Sequence, residues 1–139
     1  MQIVYDTLVC TTSEHTDIID ITREVEETVR SSGINNGTVL LFISGSTAAL
    51  TTIEYESGVV SDLKKAIERI ASHTIPYEHD RRWGDGNGYA HVRAALIGAS
   101  LTVPLREGTM LLGTWQQIVV LDFDNRPRKR ELQVQISGM

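Results

Sequence analysis

The glycine-rich segment 77–91 contains the residues best suited to metal binding or proton transfer. His79 and His91 lie in it, together with Asp85 and Asn87. Imidazole and carboxylate groups bind zinc at about 2.0–2.2 Å, and the helix dipole keeps a histidine at the start of a helix neutral. The two histidines are too far apart to share one helical face, so they meet only if the glycines fold the segment back on itself. The alternative is that each is a loop residue bonded to a carbonyl group.

The stretch Ser44-Gly45-Ser46-Thr47 interrupts an apolar run and offers hydroxyl and backbone N–H groups. Such a connection between two strands can form a concave site for an anion. It is not a nucleotide-binding P-loop, because the GxxxxGK[ST] pattern is absent and no helix follows directly. A β-bulge with solvated hydroxyl groups is an equally good interpretation.

Three further features carry charged or aromatic side chains. Glu54 and Glu56 share a face at the end of a predicted strand, where burial would raise the pKa of one carboxyl group and solvation would leave both ordinary. The basic cluster 126–130 could hold phosphate, but its acidic neighbours favour a charged β-turn. Trp115 and Gln116 follow a Gly-Thr pair at a strand junction, where a tryptophan more often belongs to the core or to a subunit interface.

Periodicity in the apolar residues predicts the elements that must position these groups. Strands are predicted at 2–10, 38–43, 48–54, 101–103, 110–112, 117–123 and 130–136, and helices at 16–32, 57–71 and 90–97. No period fits 72–88, which we interpret as a long functional loop, and the last third is predicted to be a β-meander. Two substantial helices with about seven strands indicate an α+β fold, a mostly antiparallel β-sandwich that forms a single domain over 1–139.

The composition argues against several classes of protein. The net charge of −5 argues against a protein that coats nucleic acid, because basic charge supplies most of that affinity. Cys10 is the single cysteine, so an intrachain disulfide is excluded. No uncharged apolar run is long enough to span a membrane, and the first residues lack the layout of a signal peptide. We therefore expect a cytoplasmic domain without nucleic-acid or membrane partners.

Four sequence blocks together resemble the YjbQ-like family, whose members are often labelled secondary thiamine-phosphate synthase. The blocks are Ile43–Thr51 with Glu54, Asp85–His91, Gly98–Pro104 and Leu112–Ile118. The resemblance covers nearly the whole chain, and the stretch 122–128 is similar to the archaeal branch of the family. It implies a compact α+β sandwich that assembles as a homotrimer, with each site near a subunit boundary.

The resemblance also implies a binding site. Family members have a His-Thr-Thr or His-Thr-Ser motif after the central strand and two further histidines, a set that suggests a metal or anion site. Gly45 takes the first position here, so only His79 and His91 carry over as ligands of a divalent metal, zinc or magnesium. Candidates to replace the missing ligand are Asp85, Asn87 and Glu54. The alternative is an anion bound without a metal.

The implied activity is the weak joining of a thiazole phosphate to a pyrimidine pyrophosphate, which requires stabilisation of the departing pyrophosphate. In that reaction His91 and Glu54 would move protons. The implied phosphate-binding residues are Ser44, Gly45, Ser46, Thr47 and Arg93, and the remaining pocket residues are Asp85, Asn87, Trp115 and Gln116. The alternative function is a non-catalytic trimer that binds a small phosphorylated molecule or a metal.

Overall fold

Two antiparallel sheets and four helices make up the computed structural model, which describes residues 1–139. The strands are β1 (Gln2–Thr12), β2 (Asp17–Asp20), β3 (Gly37–Ile43), β4 (Ala48–Ile53), β5 (Ser100–Arg106), β6 (Thr109–Met110), β7 (Gln117–Asp122) and β8 (Arg128–Gly138). The helices are α1 (Thr22–Ser32), α2 (Ser57–Ile70), α3 (Glu78–Trp83) and α4 (Gly88–Ile97). No helix combines the length and the apolar character needed to cross a membrane. The arrangement confirms the α+β fold class expected from the sequence.

The two sheets enclose the main core between them. The larger sheet has the strand order β1-β8-β3-β5-β6 and the smaller one β2-β7-β4. Val39 and Leu41 of β3 contribute to this core, as do Leu50 of β4 and Val120 of β7, and α1 adds its apolar face. Every second residue of a strand points to the same side, so a shift by one residue would turn these apolar side chains away from the core. Their burial therefore fixes the register of the strands.

A second core lies on the other side of the smaller sheet, beneath α2 and α4. Leu121 and Phe123 contribute to it from the sheet side, and Ile67 and Ala90 contribute from the helices. Strand β7 is therefore covered on both sides, and its last five residues are all buried. Helix α4, which carries His91 in its first turns, is held firmly by this second core.

The helix predicted over 16–32 begins later, because its first residues form strand β2. Ile18 has the spacing of a helical stripe, but it pairs with Leu121 of β7 in the smaller sheet. The chain turns at Asp20, whose Oδ1 accepts hydrogen bonds from the backbone N–H and the hydroxyl of Thr22 at 3.0 and 2.6 Å. These bonds satisfy polar groups at the start of α1. The helix therefore begins at Thr22 and not at residue 16, where the sequence pattern predicted its start.

Two predictions for the second half of the chain are wrong. The last four strands do not form a meander, because β7 enters the smaller sheet and β8 returns to the larger sheet between β1 and β3. Local periodicity carries no information about which distant strands pair. The segment 72–88, predicted to be a loop, contains α3, whose six residues are too few to show a helical period.

Candidate functional site

A buried network of charges lies where β7 ends and β8 begins. Asp122 is fully buried, and the Arg130 guanidinium donates to both of its carboxylate oxygens, at 2.7 Å from Nε and 2.9 Å from Nη2. The Thr12 hydroxyl donates to Asp122 Oδ2 at 2.6 Å. A buried carboxylate is tolerated when it is paired and hydrogen-bonded in this way. The pairing holds the Arg130 guanidinium in one orientation.

Asp124, also fully buried, joins three segments of the chain. Its Oδ1 accepts a hydrogen bond from Asn87 Nδ2 at 3.2 Å, and its Oδ2 accepts from the Thr47 hydroxyl at 3.1 Å and from Arg128 Nε at 2.8 Å. Burial raises the pKa of this carboxyl group, but the hydrogen bonds from Asn87, Asn125 and Arg128 outweigh burial and hold the pKa below its ordinary value. Asp124 therefore stays ionised at neutral pH.

A polar pocket of about 440 Å³ lies against this network. The connection between β3 and β4, the segment from α3 to α4 and the start of β8 all line it. The lining residues are Gly45, Ser46, Thr47, His79, Trp83, Asp85, Asn87, His91, Arg128 and Arg130. The fold thus brings the histidine segment and the Ser-Gly-Ser-Thr connection, which are distant in sequence, to one place.

Gly45 allows Arg130 to reach the wall of this pocket. Its φ of 118° lies in the region that favours glycine, and a Cβ there would lie 2.6 Å from Arg130 Nη1. The Nη1 atoms of Arg130 and Arg128 form no hydrogen bond within the chain. The backbone N–H groups of Gly45, Ser46 and Thr47 also lack an acceptor within the chain. The wall therefore presents several hydrogen-bond donors without acceptors.

His79 of α3 and His91 of α4 lie beside each other, with their ring centroids 4.3 Å apart. Gly84 ends α3 with a φ of 72°, which turns the chain sharply. Gly88 begins α4 so close to Tyr77 that a Cβ on the glycine would lie 2.6 Å from the Tyr77 Cβ. These glycines permit the reversal that brings the two imidazole rings together.

His91 is a neutral imidazole near neutral pH. Burial and the neighbouring His79 lower its pKa from the usual 6.5, and the carboxylates of Asp124, Asp85 and Asp80 raise it by less. A neutral imidazole can accept a proton or bind a metal ion. The start of α4 disfavours the protonated ring as well, because the positive end of the helix dipole is there.

Two buried polar atoms in this pocket have no hydrogen-bond partner. They are His79 Nδ1 and Asn87 Oδ1, and no other buried side-chain nitrogen or oxygen atom in the chain is left unpaired. The orientation of the Asn87 amide is fixed, because its Nδ2 donates to Asp124, which only accepts. Asn87 Oδ1 is therefore an acceptor that lacks a donor, and such a group costs stability unless something binds to it.

A divalent metal finds an incomplete set of ligands here. The pocket offers two imidazoles and the Asn87 amide oxygen, but no group of three His, Cys, Asp or Glu side chains in the chain is arranged to hold a metal ion. Catalytic zinc sites usually have three such protein ligands. A metal at this pocket would therefore need further ligands from water or from a bound anion.

The family described as UPF0047 protein YjbQ-like matches residues 6–139. The chain belongs to this family. A UPF0047 protein of Methanothermobacter thermautotrophicus is 38% identical over 138 residues, which cover 99% of this chain and 94% of the relative. The UPF0047 protein YugU of Bacillus subtilis is 36% identical over 133 residues, covering 95% of this chain and 98% of the relative. The resemblance inferred from the sequence blocks is confirmed.

Solved structures of YjbQ-like proteins have the same fold. A YbjQ-like protein of unknown function from Sulfolobus solfataricus P2 matches with a TM-score of 0.95 at 33% identity, covering 99% of both chains. A YjbQ/UPF0047 family protein from Clostridium acetobutylicum matches with a TM-score of 0.87 at 32% identity, covering 95% of this chain and 99% of the other. The descriptions of these relatives name no activity, so they do not support the thiamine-phosphate synthase label.

Arg93, expected to bind phosphate beside the Ser-Gly-Ser-Thr connection, lies outside this pocket. Residues two apart on a helix are about 200° apart around its axis, so Arg93 and His91 point to opposite sides of α4. Arg93 is buried, and its guanidinium donates to Ala71 O and Thr16 Oγ1, each at 2.9 Å, and to Glu68 Oε2. The protein therefore already uses all three nitrogens of this side chain.

Four other predicted residues also lie outside the lining. Glu54 is exposed beyond β4, and Ser44 pairs its backbone N–H with β8 at 3.1 Å. Gln116 Nε2 donates to Thr52 Oγ1 at 2.9 Å, and Trp115 is 70% exposed. The structure therefore gathers the histidines, Asp85, Asn87 and residues 45–47, and leaves these four apart.

Arg128 and Arg130 were not among the predicted pocket residues, because their acidic neighbours in the sequence favour a charged β-turn. The acidic neighbours do pair with these arginines, but each guanidinium keeps one nitrogen free. A signal was present in the sequence. Arg128 and Arg130 alternate in step with the apolar residues of β8, such as Leu132, and the period of two therefore directs them inward.

Proposed function

We propose that this YjbQ-like protein binds a small phosphorylated molecule in the pocket lined by Gly45, His91 and Arg130. Donors without acceptors support the proposal, namely the Nη1 atoms of Arg128 and Arg130 and the backbone N–H groups of 45–47. Guanidinium groups and successive backbone N–H groups are the donors that phosphate oxygens prefer in proteins.

The charge around the pocket indicates what else the ligand should carry. Asp122 and Asp124 cancel the formal charge of the two arginines, so affinity would come from placed hydrogen bonds more than from net charge. The buried Asn87 Oδ1 needs a donor, and the exposed Asp85 carboxylate can accept one in place of water. A phosphate ester that also bears a hydroxyl or amino group fits both ends of the pocket.

Inorganic phosphate and simple phosphate esters test the proposal, with binding followed at the His91 imidazole by NMR. We expect Arg128→Gln to weaken binding about tenfold, because a hydrogen bond to a charged group is lost. Arg126→Gln is the matched control, since Arg126 is exposed in the same segment and does not line the pocket. No saturable response at His91, or equal effects of the two variants, would exclude this site.

A narrower, catalytic proposal follows from the resemblance to proteins labelled thiamine-phosphate synthase. In this reaction the thiazole nitrogen bonds to the pyrimidine methylene carbon as the carbon–oxygen bond to pyrophosphate breaks. The free arginine nitrogens are suited to stabilise the departing pyrophosphate, and the N–H of the neutral His91 ring is suited to donate a hydrogen bond to it. Pyrophosphate release from the thiazole phosphate and the pyrimidine pyrophosphate is the assay. We expect His91→Gln to lower kcat and Glu54→Gln, outside the pocket, to leave it unchanged. Absence of turnover would remove this proposal and leave phosphate binding untouched.

Divalent metal binding is a second candidate, favoured by the adjacent imidazole rings of His79 and His91 and by the unpartnered Asn87 Oδ1. When bound, zinc or magnesium would supply a positive charge for phosphate oxygens. The test is calorimetric titration of the full chain with each metal alone. We expect His79→Gln to weaken zinc binding at least about tenfold, in line with the loss of a metal ligand. Equal affinity of this variant and the unchanged protein would rule out the histidine pair.

We also propose that the expected homotrimer buries the outer face of the larger sheet between copies of the chain. No helix covers this face, and its central residues carry no charge. They are Ile3, Tyr5 and Thr7 of β1, Gln133, Gln135 and Ser137 of β8, Thr38, Leu40 and Phe42 of β3, and Ser100, Thr102 and Pro104 of β5. Interface cores are depleted in charged residues and enriched in aromatic ones, and Tyr5 and Phe42 are the exposed aromatic residues of this face. A pocket near the subunit boundary and a cytoplasmic location stay predictions.

A further inference from the structure

A second polar pocket lies on the side of α4 that carries Arg93. Its volume is about 480 Å³, and it lies between α2, α4 and the chain just before β2. The ion pair of Arg93 and Glu68 forms part of its lining, beside the side chains of His15, Lys64 and His73. None of its lining residues belongs to the first pocket, so it can be tested separately.

Glu68, the carboxylate of this pocket, is already fully engaged by the protein. Its Oε1 lies 2.7 Å from His73 Nδ1 and accepts from the Ser72 hydroxyl at 2.9 Å, and its Oε2 accepts from Arg93 Nη2. Burial raises the Glu68 pKa, but the hydrogen bonds from His73, Ser72 and Arg93 lower it to about 2. Glu68 is therefore ionised at neutral pH, and Arg93 balances its charge.

The contact with Glu68 also fixes which nitrogen of His73 is available to a ligand. An ionised carboxylate only accepts hydrogen bonds, so the proton of the neutral ring is on Nδ1. Nε2 is left as the unengaged nitrogen of His73, and it becomes a donor when the ring is protonated. The carboxylate thus orients the imidazole in the way that carboxylates orient functional histidines elsewhere.

His15 is held in an unusual backbone conformation at the edge of the same pocket. Its φ is 59°, in the left-handed region that few residues other than glycine adopt. The backbone N–H of His15 donates to Asp124 O at 3.1 Å, which secures this conformation. This conformation places a third titratable side chain in the lining of the pocket, with Lys64 and His73.

We propose that this pocket is a second binding site, for a small oxyanion held by Lys64, His73 and His15. Because Glu68 and Arg93 balance each other, Lys64 leaves the pocket with a net positive charge, and each protonated histidine adds to it. The remaining lining residues, Thr16 and Tyr89, contribute hydroxyl groups and no charge. Phosphate and carboxylate share the required chemistry, and the proposal does not depend on the function proposed for the first pocket.

NMR titration of the four histidine side chains tests this site in the full chain. Inorganic phosphate is added in one series and acetate in another, both at constant ionic strength. We expect the His15 and His73 signals to shift along a saturable curve, and the tighter of the two probes identifies the ligand class. Lys64→Gln should weaken that probe about tenfold, whereas Lys65→Gln, exposed on the same helix and outside the pocket, should not.

Arg128→Gln separates this site from the first pocket, because it removes a donor there and should leave the His15 and His73 curve unchanged. Lack of response at these two histidines to either probe would overturn the second site. So would equal effects of Lys64→Gln and Lys65→Gln. A response confined to His79 and His91 would likewise refute this proposal alone, and a response confined to His15 and His73 would refute only phosphate binding in the first pocket.

Discussion

Gly45 adopts a backbone conformation that a side chain would strain, and it lies next to the buried Arg130–Asp122 ion pair. We expect Gly45→Ala to lower the free energy of unfolding by about 3 kcal/mol, because its φ of 118° disfavours a side chain and the new Cβ would displace Arg130 from Asp122. Gly84→Ala is the matched control. Its φ of 72° is also left-handed, but nothing lies within 4 Å of its Cβ position, so about 1–2 kcal/mol is expected. Equal losses in urea unfolding would show that Arg130 has room to move.

The titration of His91 distinguishes the two ligand classes considered for the first pocket. Because the pKa of His91 is below 6.5 in the folded protein, the unfolded chain binds more protons just below that pH, and stability falls as the pH drops through this window. A phosphate bound nearby favours the protonated ring and should raise the pKa. Zinc competes with the proton and should lower the apparent pKa. An NMR pH titration of His91 that is unchanged by both would contradict both proposals.

Individual residues of the site could be predicted where the local sequence pattern decides which way the side chain points. His79, His91, Asp85 and Asn87 were identifiable because reactive side chains lie between and on both sides of three glycines that permit a reversal of the chain. Arg93 lies on the other side of α4 from His91, a separation that the 3.6-residue period of a helix already implies. The unpaired amide oxygen of Asn87 could not be predicted, because it depends on a carboxylate that β7 brings from a distant part of the sequence.

At the scale of elements, short segments were the ones that sequence patterns misjudged. Strand β2 has four residues and α3 has six, so neither is long enough to show a period of its own. Ile18 of β2 has the spacing of the apolar stripe of α1, so the sequence pattern predicted it to belong to that helix. Longer elements such as α2 and α4 were located within about two residues, because their buried stripes span several turns.

The start of α2 offers a test of element stability with a matched pair of glutamates. The Glu56 side chain accepts hydrogen bonds from the backbone N–H groups of Gly58 at 2.7 Å and Val59 at 2.9 Å, and these bonds lower its pKa below the usual 4.5. We expect Glu56→Ala to lower Tm near neutral pH, because the helix loses its cap. Glu54→Ala, exposed and without a side-chain hydrogen bond, should leave Tm unchanged.

The same cap predicts a pH dependence for that difference in Tm. A carboxyl group with a depressed folded pKa adds stability above its unfolded pKa and loses it as the pH falls through the folded value. The gap between the unchanged protein and Glu56→Ala should therefore shrink as the pH falls below 4.5. Thermal melts followed by circular dichroism at about pH 7 and about pH 3 measure this. A gap that stays constant would mean that the cap does not need its charge.

For the whole molecule, the two faces of the larger sheet have different roles. The inner face packs on the main core, and its alternating pattern in β8 was readable from the sequence. The outer face has an equally regular pattern of threonine, glutamine and apolar residues. A face exposed to solvent can have a similar pattern, so no single strand identifies this face as an interface. Only the strand order β1-β8-β3-β5 places these residues side by side, so the extent of the uncharged face emerges from the fold and not from any one segment.

Assembly is the property that this uncharged face should control. We expect the unchanged protein to sediment at about three times the 15.4 kDa mass of the chain, and Tyr5→Glu to sediment as the single chain, because an unpaired charge buried in an interface costs several kcal/mol. Ile70→Glu is the matched control, since Tyr5 and Ile70 are both 71% exposed but Ile70 lies on α2, away from this face. An unchanged protein that is monomeric at micromolar concentration would contradict the trimer. If Ile70→Glu dissociated the assembly as Tyr5→Glu does, the interface would lie on the helical side of the molecule.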